Sequence, residues 1–426
     1  MNKYLESLVK FVEDNENFVE LLKHAPYNLK TLKECSWHKG WYMFVYNLFD
    51  SDLKNDVVRA CRGTVLEVSY VNAAGTPFAD TYVPVVKVIS APYTKFFGYG
   101  DPSGKDIEDS INWANAKFQL KIDGIIIKTA KVDEKLYFFT NGSFDLNAPL
   151  DGSFVVDEAA TRGAEYFGDL LKYAIEKESK DVVVNFDKES GEFYAVGGWC
   201  DNIPSGSTLM LELVSPRNKI LCEYKETKLY WHGFRNALLE ECDPRSIKDA
   251  LKVPFECPEL LDASNFDDLK KLLATFNGSE KEGCVVVDYS SEGTPRAKIK
   301  CDSYLKLKFA RDNDCNSAVL FKAVVNDEYD DLLAAVPSIA PSIDEIKGKI
   351  KEFYSLWNSR KLEVSDKLAL PKKDYVMWVR ANINREQVSV YMDFYSPVNK
   401  AEKRLMHFAV GKKGAKEFDA LVELLR

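Results

Sequence analysis

A series of short clusters sets charged side chains inside or beside apolar, strand-like runs. In "FQLKIDGIIIK" (118–128) Phe118, Leu120 and Ile122 alternate with Gln119, Lys121 and Asp123, the period-2 pattern of a half-buried strand. Asp123-Gly124 is a turn signal and Ile125 restarts the run, so the stretch reads as a hairpin with Lys121 at its turn. "ACRGTVLEV" feeds Arg62-Gly63 into a strand, and "YTKFFGYGD" places Lys95 ahead of Phe96 and Phe97. "LELVSPRNKI" embeds Glu212 among Leu211, Leu213 and Val214, "KEGCVVVDY" carries Glu282-Gly283, and "AKIKCDSY" carries Lys298 and Lys300. Taken singly, each has a bland reading. Lys121 is either a solvated strand lysine or a nucleophile. Lys298 and Lys300 alternate around Ile299 and so project from one strand face, toward solvent or toward a common anion. Glu212 fits the bland reading least, because a poorly solvated carboxylate needs a partner.

Together and in this order the clusters resemble the covalent nucleotidyltransferases, the ATP-dependent ligases and capping enzymes. Lys121-Ile122-Asp123-Gly124 resembles that superfamily's motif I, Glu282-Gly283 its motif IV and Lys298-Ile299-Lys300 its motif V. "CRGTVLEV", "KFFGYGD" and "ELVSPRNKI" resemble further segments of the phage-type ATP-dependent RNA ligases, the RNA ligase 1 family, over about residues 40–308. The resemblance implies that Lys121 attacks the α-phosphate of ATP and becomes adenylated. A free lysine, with a pKa near 10.4, is mostly protonated at neutral pH. Neighbouring cations and a metal ion are therefore expected to lower the pKa of Lys121. Lys298 and Lys300 are implied to neutralise the α-phosphate, and Asp123 and Gly124 to shape the nucleophile's turn. Arg62 and Lys95 are implied to contact phosphates or RNA termini, Phe97 to line the nucleotide site, and Glu212 to hold the ribose. Glu282 and Gly283 are implied to bind the nucleotide, Glu282 is expected near Mg²⁺ or Mn²⁺, and Tyr304 matches a family aromatic.

Two residues depart from the family pattern. Ile125 replaces a small polar residue after K-x-D-G, and Asn141 in "FFTNGSF" stands where family members often carry a lysine. A DNA ligase and a capping guanylyltransferase remain as alternatives within the superfamily, as does a non-catalytic nucleic-acid-binding relative. Both enzyme alternatives usually continue into an OB-fold after motif V, whereas the region after Lys308 reads as helical. A P-loop reading of "GDPSGKD" fails, since Tyr99 and Asp106 stand where Gly and Ser/Thr are required.

The elements that must position these residues are short strands interspersed with helices, without repeated βαβ units, which indicates an α+β body. The expectation is a nucleotidyltransferase domain (ATP-grasp-like ligase) of antiparallel sheets flanked by helices over residues 1–312. A mainly helical domain, the RNA-specificity element, is expected over 313–426. Residues 157–177 read as a helix and 178–206 as an inserted pair of strands with a Gly-rich loop. Ser264 with Asp267 offers an N-cap for a helix running to about Phe276. Ser342 and Glu345 form a capping-box pair, and Ile343, Ile346, Ile350, Phe353 and Trp357 fall on one helical face. Residues 375–395 are ambiguous between helix and strand.

The 426-residue chain suggests two domains. Its nine cysteines are scattered without a C-x-x-C pair, so neither a disulfide framework nor a zinc site is indicated. No apolar run approaches the roughly 20 residues of a membrane span, and the N-terminus lacks a signal peptide's apolar core. The cytoplasm (a host's, for a viral protein) and a monomer are the expectations. The net charge of −9 argues against a non-specific nucleic-acid coat. From Glu345 to Arg426, however, 17 Lys and Arg face 11 Asp and Glu. A basic tail on an acidic body allows a local phosphate-binding surface, suited to single-stranded RNA or a broken structured RNA such as a tRNA.

Overall fold

The computed structural model describes residues 2–47, 50–72, 82–150, 163–311, 317–330, 333, 339–396, 400–410 and 414–426. The chain forms two units, one of residues 1–47 and 51–307, the other of 48–50 and 308–426.

The first unit opens with a helix, Lys3–Asp14, capped by Asn2, whose side chain accepts from the amides of Tyr4 and Leu5. Such a cap stabilises by about 1 kcal/mol. Among the described residues fourteen strands follow: β1 (Thr31–Glu34), β2 (Trp41–Val45), β3 (Arg62–Asn72), β4 (Tyr82–Ser90), β5 (Lys117–Lys121), β6 (Ile125–Val132), β7 (Lys135–Thr140), β8 (Val183–Phe186), β9 (Phe193–Val196), β10 (Thr208–Val214), β11 (Lys228–Arg235), β12 (Glu241–Cys242), β13 (Gly283–Val287) and β14 (Arg296–Lys300). They make three antiparallel sheets, in the orders β1-β2-β3-β4, β12-β11-β10-β6-β7-β9-β8 and β14-β13-β5.

Alternation along the strands builds the layers. Phe44, Leu66 and Val68 of the four-stranded sheet pack with Leu8 and Val12 of the first helix. Trp41, Met43 and Val65 on its other face meet Ala130, Tyr137 and Phe139 of the seven-stranded sheet. The far face of that sheet, with Ile127, Phe138 and Leu211, is covered by the helix Phe167–Glu178 through Leu170, Leu171 and Ile175. The three-stranded sheet packs Phe118, Cys284 and Val286 against Leu269 and Leu273 of the helix Phe266–Leu273.

Several expectations need correcting. Strands β5 and β6 do not form a hairpin: β5 pairs with β13, whereas β6 lies between β10 and β7. The Asp-Gly turn therefore carries the chain from one sheet to another. The helix Phe266–Leu273 is capped by Asn265, not Ser264, and ends three residues before Phe276. Ser342 and Glu345 form no capping box, because the helix Ala340–Glu363 starts earlier, with Pro341 in its first turn and no side-chain cap. The helix expected over 157–177 is seen as Phe167–Glu178, and residues 157–162 lie outside the described residues. The strand pair within 178–206 is β8 and β9, at one edge of the seven-stranded sheet.

The second unit is helical throughout its described residues. In the helix Ala340–Glu363, Ile343, Ile350, Phe353 and Trp357 are buried and Ile346 partly so, the face that the sequence outlines. Residues 375–395 resolve into the helices Lys372–Asn382 and Val388–Phe394. No helix among the described residues is long and apolar enough to cross a membrane.

Candidate active site

The central contact of the site is an ion triad at one end of the three-stranded sheet. Gly283 pairs across to Lys121 on one side and to Lys300 on the other, so the two lysines flank a residue without a side chain. Glu282, just before β13, reaches into that gap. Its Oε2 accepts from Lys121 Nζ at 2.6 Å and its Oε1 lies 2.9 Å from Lys300 Nζ. Glycine is needed here, since a Cβ on Gly283 would stand 2.2 Å from the Ile299 carbonyl oxygen.

Burial alone would push the Glu282 carboxyl up, but the Lys121 and Lys300 ammoniums outweigh it and hold it below the usual range. For Lys121, burial pulls the ammonium's pKa down, while the Glu282 carboxylate pulls harder and the net shift is upward. The neighbouring cation acts as expected, since Lys300 lowers the pKa of Lys121, but the net shift is upward. The carboxylate at 2.6 Å outweighs that cation. Breaking such a low-dielectric group by removing one partner costs about 3–5 kcal/mol.

Asp123 holds the Lys121 turn in place. Its Oδ2 accepts from the Leu221 and Cys222 amides at 2.9 and 2.7 Å, and its Oδ1 accepts from the Tyr304 hydroxyl at 3.1 Å. Its own amide donates to the Tyr224 hydroxyl at 2.9 Å. Gly124 lets this turn touch β10, for a Cβ there would meet the Leu213 carbonyl oxygen at 2.5 Å and Glu212 Cγ at 2.9 Å. Glu212 therefore sits directly behind the Lys121 turn. Ile125 pairs with Leu213 and packs against the apolar cluster beneath the seven-stranded sheet, so packing stands where a small polar residue was expected.

Lys298 joins the site through its backbone. Its amide donates to the Phe97 carbonyl at 3.1 Å, and the Tyr99 amide donates to the Lys298 carbonyl at 2.9 Å. This short parallel pairing brings the Lys95–Tyr99 segment to β14. Lys95 Nζ lies 5.2 Å from the centre of the Phe97 ring and 5.5 Å from that of Tyr46. Phe97 is itself buried, against Gly104. The Arg62 guanidinium lies 5.1 Å from the Phe96 ring centre, and its buried Nη1 has no hydrogen-bond acceptor among the described residues. Direct side-chain contact therefore joins Lys121, Glu282 and Lys300. Lys298, Lys95, Phe97, Asp123, Gly124 and Glu212 are tied in through backbone or packing, and Arg62 through Phe96.

Sequence reasoning missed Lys128. It points from β6 toward the four-stranded sheet, is fully buried, and donates to the Gly63 carbonyl beside Arg62. Burial, and secondarily the Arg62 charge, hold its pKa well below the ordinary lysine value. A Cβ on Gly63, at φ +85°, would stand 2.8 Å from Lys128 Nζ and 2.5 Å from the Asn141 carbonyl oxygen. Lys128 thus places an amine beside Asn141, where the family pattern expects a lysine. The available signal was a lysine inside the otherwise apolar run "IIIKTA". Tyr93, His232 and Arg296 were missed as well, for lack of any motif.

Residues 60–313 match the RNA ligase family. Over 303 residues, 69% of this chain, the sequence is 26% identical to a protein of Autographa californica nuclear polyhedrosis virus assigned as a bifunctional polynucleotide kinase/RNA ligase. The chain spans 37% of that viral protein's length. Among solved structures, an ATP-dependent DNA ligase of Aquifex aeolicus superposes with a TM-score of 0.33 and 13% identity, covering 67% of this chain and 73% of that one. A Naegleria gruberi RNA ligase with PPi gives a TM-score of 0.33 and 10% identity, covering 65% and 96%. The family match spans more than half of the chain and includes Arg62, Lys121, Asp123, Glu212, Glu282, Lys298 and Lys300; this chain belongs to the RNA ligase family.

Proposed function

We propose that this chain is an ATP-dependent RNA ligase that joins RNA 5′-phosphate and 3′-hydroxyl ends through a lysyl–AMP intermediate on Lys121. The observation that carries the reading is the sharing of the Glu282 carboxylate by Lys121 and Lys300 across Gly283. Such a cluster can trade a carboxylate for phosphate oxygens, because both ammoniums already converge on one anion.

In the first step the Lys121 amine attacks the α-phosphorus of ATP; the N–P bond forms and the P–O bond to pyrophosphate breaks. Nζ must lose a proton, and Glu282 Oε2 at 2.6 Å is the acceptor already within reach. Lys300, with Lys298 on the same strand face, offsets charge on the phosphoryl oxygens. In the second step an RNA 5′-phosphate attacks the adenylate, giving a 5′–5′ linked end and restoring Lys121. In the third, an RNA 3′-hydroxyl displaces AMP. Glu212, held against the nucleophile's turn by Gly124, takes the ribose hydroxyls, while Arg62 and Lys95 receive phosphates or RNA termini.

No cluster of three or more acidic, His or Cys side chains suited to a metal occurs among the described residues. A lone carboxylate such as Glu282 fits Mg²⁺ or Mn²⁺, which complete their shells with water and substrate phosphate oxygens. When bound, that ion would neutralise phosphate charge and favour the neutral amine of Lys121. The helical unit, whose residues 345–426 carry 17 Lys and Arg against 11 Asp and Glu, is the RNA-specificity element, so RNA affinity falls with salt.

Incubation with a divalent metal and ATP or GTP labelled at the α-phosphate, followed by a denaturing gel, tests the reading. Label is expected from ATP only, acid-labile and absent in Lys121→Ala. No label with any divalent metal would sink the enzymatic reading. Labelling from GTP would favour capping, and preference for nicked duplex DNA over single-stranded RNA would favour a DNA ligase.

A further inference from the structure

Beside Glu212 the seven-stranded sheet carries an irregularity whose position is informative. Strands β10 and β11 pair Met210 with Gly233 but Leu211 with Trp231, so His232 is an extra residue on β11. A bulge of this kind locally twists a strand and re-aims its side chain. Here the imidazole is aimed at Glu212, with Nε2 3.3 Å from Glu212 Oε2. The irregularity is supported from within, since the Trp231 indole N–H donates to the Gly233 carbonyl at 2.8 Å.

A second feature suits the tautomer with its proton on Nε2. The Tyr93 hydroxyl lies 2.8 Å from His232 Nδ1. Burial raises the pKa of Tyr93 well above that of an ordinary phenol, so the hydroxyl keeps a proton that it can donate to Nδ1. With that donation the imidazole proton sits on Nε2, directed at Glu212. Space for the hydroxyl comes from Gly233, where a Cβ would stand 1.8 Å from the Tyr93 oxygen. The Tyr93 ring is covered in turn by the Arg296 guanidinium, 3.8 Å from its centre and paired with Glu241. Arg296 precedes Lys298 by two residues on β14, so this support begins on the strand that carries the motif V lysines.

The third feature is an unmet bond. His232 Nε2 is buried, yet its contact with Glu212 is not aligned as a hydrogen bond. A buried donor in that condition costs about 1–3 kcal/mol. Glu212 is confined on its other side by Gly124. A small rotation of the carboxylate completes the bond to Nε2 and leaves its remaining lone pairs for two vicinal hydroxyls.

We propose that His232, held by Tyr93, is a positioning residue that orients the Glu212 carboxylate toward the ribose 2′- and 3′-hydroxyls and so sets discrimination between ATP and 2′-deoxy-ATP. The inference rests on the reading of Glu212 given above. Its chemistry is that of a carboxylate fixed to accept from a diol, which rejects a sugar lacking one donor because an oriented acceptor is left unpaired.

The test is the KM and kcat of self-adenylation with ATP and with 2′-deoxy-ATP for the full chain and for His232→Leu, His232→Gln, Tyr93→Phe and Glu212→Ala. Calorimetric binding of both nucleotides in a Lys121→Ala background reads the same preference without chemistry. His232→Leu should raise the KM for ATP about tenfold with little change in kcat, and reduce the preference for ATP at least about threefold. His232→Gln, whose amide N–H reaches the same carboxylate, should restore most of both, and Tyr93→Phe should fall between. A folded His232→Leu protein with wild-type KM and preference, beside a Glu212→Ala protein with raised KM, overturns the role of His232 alone. Wild-type ATP binding by Glu212→Ala overturns the ribose reading itself, and this inference with it.

Discussion

Replacing Lys128 with methionine should change how the stability of the first unit depends on pH. In the folded chain the Lys128 amine is fully buried, donates to the Gly63 carbonyl and has a pKa held well below the ordinary lysine value. In the unfolded chain it titrates near 10.4. Between these values the unfolded state binds the extra proton, so stability falls as pH drops, by up to about 1.4 kcal/mol per pH unit. With Lys128 neutral in the fold throughout, stability from this group rises by about 2 kcal/mol between about pH 7.5 and 9.0. Methionine has a similar volume and no titration, but it leaves the Gly63 carbonyl without its donor, at about 1–3 kcal/mol. The variant should therefore equal or exceed wild type at about pH 7.5 and lose about 2 kcal/mol relative to it by about pH 9.0.

Urea unfolding at the two pH values is the assay. Five of the seven tryptophans, Trp37, Trp41, Trp113, Trp199 and Trp231, lie in the first unit, so intrinsic fluorescence mainly follows its transition. Comparing wild type with variant at each pH cancels titrations common to both. A difference that stays constant within about 0.5 kcal/mol would refute the reasoning, because it would mean that Lys128 is protonated in the fold.

Two further substitutions probe the site. Asp123→Ala strips acceptors from the Leu221 and Cys222 amides and the Tyr304 hydroxyl. It should destabilise the first unit by about 3 kcal/mol or more, read as a lowered urea midpoint. A loss below about 1 kcal/mol would show that the turn does not depend on this carboxylate. Gly283→Ala forces a Cβ toward the Ile299 carbonyl and pushes β14 from β13 beside Lys300. Self-adenylation should fall about 100-fold or more while the protein stays folded by circular dichroism; retained labelling would show that the lysine spacing is not critical.

Residue types and order along the chain made much of the site legible. The Lys-x-Asp-Gly turn, Glu282-Gly283 and the Lys298/Lys300 alternation carry their chemistry locally, because strand period and turn preference act over a few residues. The apolar face of the helix Ala340–Glu363 was readable for the same reason. Helix caps were less secure: Asn265 took the place of Ser264, since neighbouring polar residues compete for one cap and packing chooses between them. Long-range pairing was invisible. Asp123-Gly124 carries every local mark of a hairpin, yet the chain crosses to another sheet there.

By itself the sequence determined the family, the α+β texture and the candidate groups around Lys121, all written in short stretches with local periodicity. Only the tertiary structure decided the electrostatic state of Lys121, because Glu282 lies 161 residues away and wins over burial only when β5 and β13 pair. It also decided that Lys128 is an amine buried beside Arg62 and that His232 is turned onto Glu212. Burial and cross-strand register set the energies of charged groups, and neither is a property of any single segment.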